Sequence, residues 1–188
     1  NGAMANDPFE RAERVLNVGT GEVAACRTTG ILRAAAIGSC AVAAAYDARA
    51  GVGGMAHVML PGVCPDGASS RRTRYAEDAV SEMLRRMRAL GAEPSRVRVC
   101  LVGGANVLGP GHESPGPEVV QALREALESE QLVPAAQETG GILRRSCTLD
   151  VERGRVVYTK GDSPELLLWE AGAARGSGRD GVGVGGKA

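Results

Sequence analysis

Residues 34–61 read AAAIGSCAVAAAYDARAGVGGMAHVMLP, and the rest of the chain has to be fitted around them. Small residues surround Cys40, in a Gly-Ser-Cys setting, and His57, seventeen positions later and one of only two histidines in the chain. Both halves read as strands. Cys40, Val42, Ala44 and Tyr46 would share one face, with Ala41, Ala43 and Ala45 on the other. Residues 55–60 again read as extended, Pro61 stops them, and residues 47–51 supply a turn. Two neighbouring strands so joined would bring Cys40 near His57. A free thiol titrates near ~8.5, so a nearby base that favours the thiolate makes a cysteine a nucleophile. Histidine is the usual partner.

The 188 residues predict one domain, over residues 7–170. Only 3% of the chain is aromatic, with one Trp and one Phe, so the core has to come from Ala, Val, Leu, Ile and Met. Residues 1–5 are set aside as an expression scar. Residues 7–17 carry a short helical pattern through Phe9, Ala12, Val15 and Leu16. Residues 18–24 read as a turn into a strand, and periodicity alone leaves residues 34–36 open between strand and helix. Tyr75, Ala79, Val80, Met83, Leu84, Met87 and Leu90 follow helical spacing, with Thr73 or a nearby serine as cap and the methionines as core filler. Residues 97–101 alternate as a strand and end at Gly103-Gly104-Ala105-Asn106. That end reads as a tight turn ahead of a ligand-approach segment. A second amphipathic helix carries Val119, Val120, Leu123, Ala126 and Leu127 behind Pro117. Residues 133–136 read as a short strand, and residues 145–151 and 155–160 form a hairpin with a buried Cys147. Residues 171–188 read as a disordered Gly-rich tail.

Several of these segments resemble one family. Gly38-Ser39-Cys40, Tyr46-Asp47 and residues 54–61 resemble the signature of CheD, the chemoreceptor glutamine deamidase of bacterial chemotaxis. Residues 74–79 are similar to the family's helix start, residues 102–108 to its Gly-Gly-Ala-Asn segment, and Gly140-Gly141 with Arg145-Ser146 to its Gly-Gly…Arg-Ser segment. The resemblance runs in order over residues 18–160. It implies an α/β fold with an antiparallel-rich, sandwich-like sheet core; the hairpin and the two packed amphipathic helices point to a mixed α/β chain on their own.

The resemblance also implies hydrolysis of glutamine side-chain amides on chemoreceptor helices, through a thioester on Cys40 with His57 as base. The family uses a Cys–His–Thr site. Its threonine falls on Ala34, and its Thr-Leu-Gly has become Ala34-Ala35-Ala36. Weakened but retained catalysis is expected, because residues of such sites contribute unequally. A backbone carbonyl, a water, Thr28, Thr29, Ser39 or Asn106 would then orient His57. Ser39 and Asn106 are candidates for oxyanion or substrate positioning. The alternative is a catalytically impaired CheD-like binding protein that regulates receptors or a CheC-type phosphatase. Zero net charge gives nucleic-acid binding no electrostatic support. No apolar run approaches the ~20 residues of a membrane span. Five cysteines, none in a CxxC pair and with no signal-peptide pattern ahead of them, point to a reduced, cytoplasmic setting. No metal or organic cofactor is expected, and His112 reads as a solvated loop histidine.

Overall fold

The alanine run forms the middle of a sheet. In the computed structural model, which describes residues 14–65 and 69–172, β4 (Ala41–Asp47) lies between β5 (Val52–Val58) and β6 (Arg98–Gly103), antiparallel to both. Every residue of β4 and β5 is buried. Ala41, Ala43 and Ala45 face one core, and Val42, Ala44 and Tyr46 face another. A central strand covered on both faces has no room for an exposed polar side, which accounts for a run of small apolar residues rather than an apolar–polar alternation.

Two five-stranded sheets stack. The second sheet runs β2 (Val23–Arg27), β5, β4, β6, β7 (Pro134–Thr139). The first runs β1 (Val15–Asn17), β3 (Ile31–Ile37), β8 (Arg145–Asp150), β9 (Arg155–Lys160), β10 (Leu166–Glu170). Only the β1–β3 and β6–β7 pairs are parallel. Leu32, Ile37, Val42, Met55, Val102 and Leu149 fill the space between the sheets. On the outer face of the second sheet lie α1 (Ala76–Ala89) and α2 (Gly116–Ser129), which bury Val80, Met83, Leu84, Met87, Val119, Leu123 and Leu127. The expected α/β fold with an antiparallel-rich sandwich and two packed helices is the fold observed.

Four expectations need correction. The helix expected over residues 7–17 gives way at its end to β1, where Val15, Leu16 and Asn17 pair with Ile31, Leu32 and Arg33; residues 7–13 lie outside the described residues. Pairing with β3 satisfies the backbone there, and tertiary context overrides a short helical period. Thr73 does not cap α1: the N-cap is Tyr75 with no side-chain cap, and the Thr73 hydroxyl donates to the Gly21 carbonyl at 2.5 Å. The second strand of the central hairpin ends at Val58; Met59 and Leu60 donate instead to the Arg74 carbonyl. The segment expected to be a tail begins with structure. Ala171 donates to the Gly154 carbonyl at 2.8 Å, and residues 173–188 lie outside the described residues.

Candidate active site

Cys40 sits where the chain crosses from one sheet to the other. The β3–β8 register slips between Ala34 and Ile37, and Ala36 takes φ 54° in that bulge. A bulge bends its strand, and Gly38-Ser39-Cys40 then carries the chain into β4. Two bonds pin this crossing. Ala105 donates to the Gly38 carbonyl at 2.9 Å and Gly104 to the Cys40 carbonyl at 2.7 Å. The pair Gly103-Gly104 makes this approach possible: a Cβ on Gly103 would lie 2.5 Å from the Cys40 carbonyl oxygen. The glycines therefore form the tight, close-packed turn expected from their spacing. Cys40 is half-buried. Burial pushes its thiol above the ordinary range, while the Thr20 hydroxyl and its own backbone N–H pull it back without cancelling the rise.

His57 lies on β5, opposite Val42. It shares its face with Met55, on the side of the inter-sheet core to which Cys40 also packs. Cys40 precedes Val42 by two residues, so Cys40 and His57 stand on one face as diagonal neighbours, a spacing of about 7–8 Å along the backbone that side chains can bridge. His57 is only 3% exposed. Its Nδ1 lies 3.1 Å from the Val18 carbonyl oxygen. A carbonyl can only accept, so the network assigns the proton to Nδ1 and leaves a lone pair on Nε2. Nε2 has no hydrogen-bond partner among the described residues, Cys40 included. Burial lowers the imidazole below its usual range; the Val18 carbonyl and the Glu22 carboxylate work the other way. The result is a neutral ring with its basic nitrogen free, the form a general base needs.

The carbonyl of Val18 thus holds the position from which His57 is oriented. It belongs to a turn, residues 18–22, that wraps the histidine. Gly21 donates to the His57 carbonyl at 2.7 Å, and the His57 N–H donates to the Glu22 carbonyl at 3.0 Å. Ala34 is fully buried opposite Cys147. Thr28 and Thr29 are remote: β2 pairs its Val23 end near His57 and its Arg27 end with Val52, and the two threonines follow Arg27. Ser39 is half-buried beside the nucleophile. Asn106 holds its own loop, donating from Nδ2 to the carbonyls of Gly109 at 3.0 Å and His112 at 2.8 Å. The His112 side chain is exposed in that loop. The backbone carbonyl offered among the alternatives for orienting His57 is that of Val18, a residue the sequence could not name. A backbone carbonyl leaves no trace in residue identity, and nothing in Val-Gly-Thr-Gly-Glu marks a turn that closes over a distant histidine.

Two of the remaining thiols differ from Cys40. Cys100 and Cys147 are buried in the core, and burial pushes Cys100 up to about 12 and Cys147 higher still. Such thiols are inert at neutral pH. Among the described residues no helix is long and apolar enough to cross a membrane.

Residues 59–160 match the family described as CheD chemotactic sensory transduction. A probable chemoreceptor glutamine deamidase CheD of Chlorobium luteolum is 36% identical over 80% of this chain and 75% of its own length. The chemoreceptor glutamine deamidase CheD of Thermotoga maritima is 30% identical over 80% of this chain and 94% of its own. A probable deamidase of the same name from Thermococcus kodakarensis is 31% identical over 81% and 96%. With a crossing loop that presents Cys40, a neutral buried His57 on the same face, and relatives matched along most of their length, the chain belongs to the CheD family.

Proposed function

We propose that this protein is a cytoplasmic glutamine deamidase that converts glutamine side chains of chemoreceptor cytoplasmic helices to glutamate through a thioester on Cys40. The observation that carries this reading is the tautomer of His57. With Nδ1 engaged by the Val18 carbonyl, Nε2 is the basic nitrogen on the face that Cys40 shares. His57 Nε2 takes the thiol proton as Sγ attacks the carboxamide carbon. The developing oxyanion needs donors; the Cys40 backbone N–H and the Ser39 hydroxyl are the candidates. Collapse breaks the C–N bond, and the imidazolium returns its proton to the nitrogen, so ammonia leaves. His57 then removes a proton from water, which attacks the thioester. Glutamate departs and Cys40 regains its proton. Asn106 serves by holding the loop that packs on Gly38. The chemistry needs no metal or organic cofactor.

The surroundings of Cys40 suit a protein substrate. Val107 would touch a Cβ at Gly38, 3.5 Å away, and Asn106 donates to the Gly141 carbonyl. These contacts put the exposed side chains of Val107, Leu108, Ile142 and Leu143 beside the crossing loop. Apolar exposure around a half-buried nucleophile fits an amphipathic helix presenting one glutamine. A cleft of about 660 Å³ lined by Tyr46, Arg98 and Trp169 lies at the other end of β4. A CheC-type phosphatase is the second partner of this reading.

Mass spectrometry of a glutamine-bearing receptor cytoplasmic fragment tests the reading. The wild-type protein is expected to produce the mass gain of amide-to-acid conversion, and Cys40→Ala to abolish it. Conversion that persists in Cys40→Ala would remove Cys40 from the mechanism. No conversion with several receptors, in a protein that still binds receptor or phosphatase, would favour a regulator with a degenerate site.

A further inference from the structure

The turn that orients His57 has a fastener of its own. Glu22 stands across from His57, one register step beyond the Val23–Ala56 pair of β2 and β5. The His57 N–H donates to the Glu22 carbonyl at 3.0 Å, and Gly21 donates to the His57 carbonyl at 2.7 Å. Residues 19–22 then fold back on themselves. The Glu22 N–H donates to the Gly19 carbonyl at 2.9 Å, and the Gly19 N–H donates to Glu22 Oε2 at 2.7 Å. The second of these bonds bears on the base. The Gly19 nitrogen and the Val18 carbonyl belong to one peptide unit, which is planar and nearly rigid, with its N–H and C=O pointing opposite ways. An anchor on the N–H therefore aims the carbonyl, and that carbonyl meets His57 Nδ1 at 3.1 Å. From the other side the Val18 N–H, donating to the Arg33 carbonyl at 2.7 Å, holds the same segment to β3.

We propose that Glu22 is a positioning residue for the His57 base, acting through the Val18–Gly19 peptide: its carboxylate anchors the Gly19 N–H, and the Val18 carbonyl of the same peptide holds His57 in the Nδ1–H tautomer. Carboxylate, peptide and imidazole form one hydrogen-bonded chain. A charge-assisted bond at one end of such a chain polarises the peptide and makes the carbonyl at the other end a stronger acceptor. Glu22 thereby does at one remove what a third polar side chain does in direct contact with a catalytic histidine. It fixes the ring, selects the tautomer and supports the imidazolium when the ring takes a proton. Ala34, with only a methyl group, offers none of this. Burial of the ring opposes its protonation, and the Val18 carbonyl and the Glu22 carboxylate both work the other way. Without the anchor the peptide can rotate, and a ring protonated at Nε2 has no lone pair to turn toward Cys40.

The inference rests on the deamidase reading, but half of its test does not. Ring-nitrogen NMR of the full chain reads the His57 tautomer in wild type, Glu22→Ala and Glu22→Gln, and receptor deamidation is timed in the same three proteins. Wild type is expected to carry the neutral-ring proton on Nδ1. Glu22→Ala should mix the two tautomers and lower kcat about tenfold with KM little changed, the size expected for losing one hydrogen bond to a charged group. Glu22→Gln keeps an oxygen that accepts from Gly19, so it should restore the tautomer and most of the turnover. Glu22 is exposed, and every main-chain bond of the turn remains in both variants, so the fold should tolerate them. A Glu22→Ala protein that keeps the Nδ1–H tautomer and the wild-type kcat would overturn the proposal. So would a loss that Glu22→Gln leaves unrestored, since that assigns the effect to charge rather than to the anchored peptide. If Glu22→Ala mixes the tautomers but wild type converts no receptor glutamine, the deamidase reading fails and the role of Glu22 stands.

Discussion

Ala36 takes a left-handed backbone, φ 54°, in the bulge between Ala34 and Ile37. A Cβ here occupies a region that costs an L-residue roughly 1–2 kcal/mol. The side chain is exposed, so removing it forfeits no packing. Ala36→Gly relieves the strain but gives the unfolded chain more freedom to lose. The net expectation is a stabilisation of about 0.5–1 kcal/mol, read as a higher midpoint in urea or thermal unfolding. An unchanged or lower midpoint would show that the bulge holds Ala36 without strain. The same bulge sets the angle at which Gly38-Ser39-Cys40 leaves β3, so a single residue type at position 36 bears on both stability and the presentation of the nucleophile. His57 illustrates a different residue-scale balance. Its burial opposes protonation, and the resulting neutral ring is what the chemistry requires.

β5 is pressed from both sides. A Cβ on Gly53 would lie 2.5 Å from Val151 Cγ2 and 3.0 Å from Leu149 Cδ2, in the core between the sheets. A Cβ on the next residue, Gly54, would lie 2.6 Å from Met87 Sδ and 3.0 Å from Met83 Cγ, under α1. The strand's two glycines thus let one layer approach on each face. Their replacement should not cost the same. Val151 is β-branched and stiff, whereas Met87 has three rotatable bonds and can move its sulfur aside. Gly53→Ala is expected to destabilise by about 2–3 kcal/mol and Gly54→Ala by about 1 kcal/mol, within the range for overpacked cores. Chemical denaturation of the two variants compares them directly, and equal costs would mean that the helix layer is as rigid as the sandwich. Some elements were legible because their signal is local. The β4–β5 hairpin announced itself through two apolar runs around residues 47–51, and α1 and α2 through helical spacing. No local signal marks β10 (Leu166–Glu170) in the sequence. Leu166 and Leu167 are exposed, and the strand exists through pairing with β9, interrupted by a bulge between Leu167 and Trp169. β1 is hidden in a similar way: Val15 and Leu16 continue a short helical period, and only pairing with β3 makes them a strand.

At the scale of the whole molecule, Cys40 and His57 could be paired from sequence because their two strands are neighbours along the chain. Val18 could not, because only the pairing of β2 with β5 and the strap from Thr73 bring its turn over His57. The opposite end of β4 shows a comparable long-range knot, built on Asp47. Its carboxylate is fully buried. It accepts from the N–H groups of Arg49 at 3.0 Å and Ala50 at 3.2 Å, closing the hairpin turn. It also accepts from the N–H of Glu93 at 2.9 Å and from Arg96 at 2.9 Å, in the connection between α1 and β6. Burial raises the carboxyl's pKa, but the Arg96 guanidinium and the backbone donors outweigh burial and hold it below the ordinary range. The folded state therefore binds the Asp47 proton less readily than the unfolded chain. Its contribution is complete above the unfolded value, near ~3.9, and is lost as pH falls through the lower folded value. Asp47→Asn keeps the shape and removes the charge. It is expected to cost about 2–3 kcal/mol at neutral pH, as for a buried, multiply hydrogen-bonded ion pair that loses one charge. That deficit should shrink below about pH 4, where wild type protonates as well. Urea unfolding across this range measures both. Cys40 alkylation at neutral pH should not change, because the knot and the nucleophile lie at opposite ends of β4. A deficit that stays constant with pH would mean that Asp47 acts through its shape rather than its charge, and a change in Cys40 reactivity would mean that β4 couples its two ends.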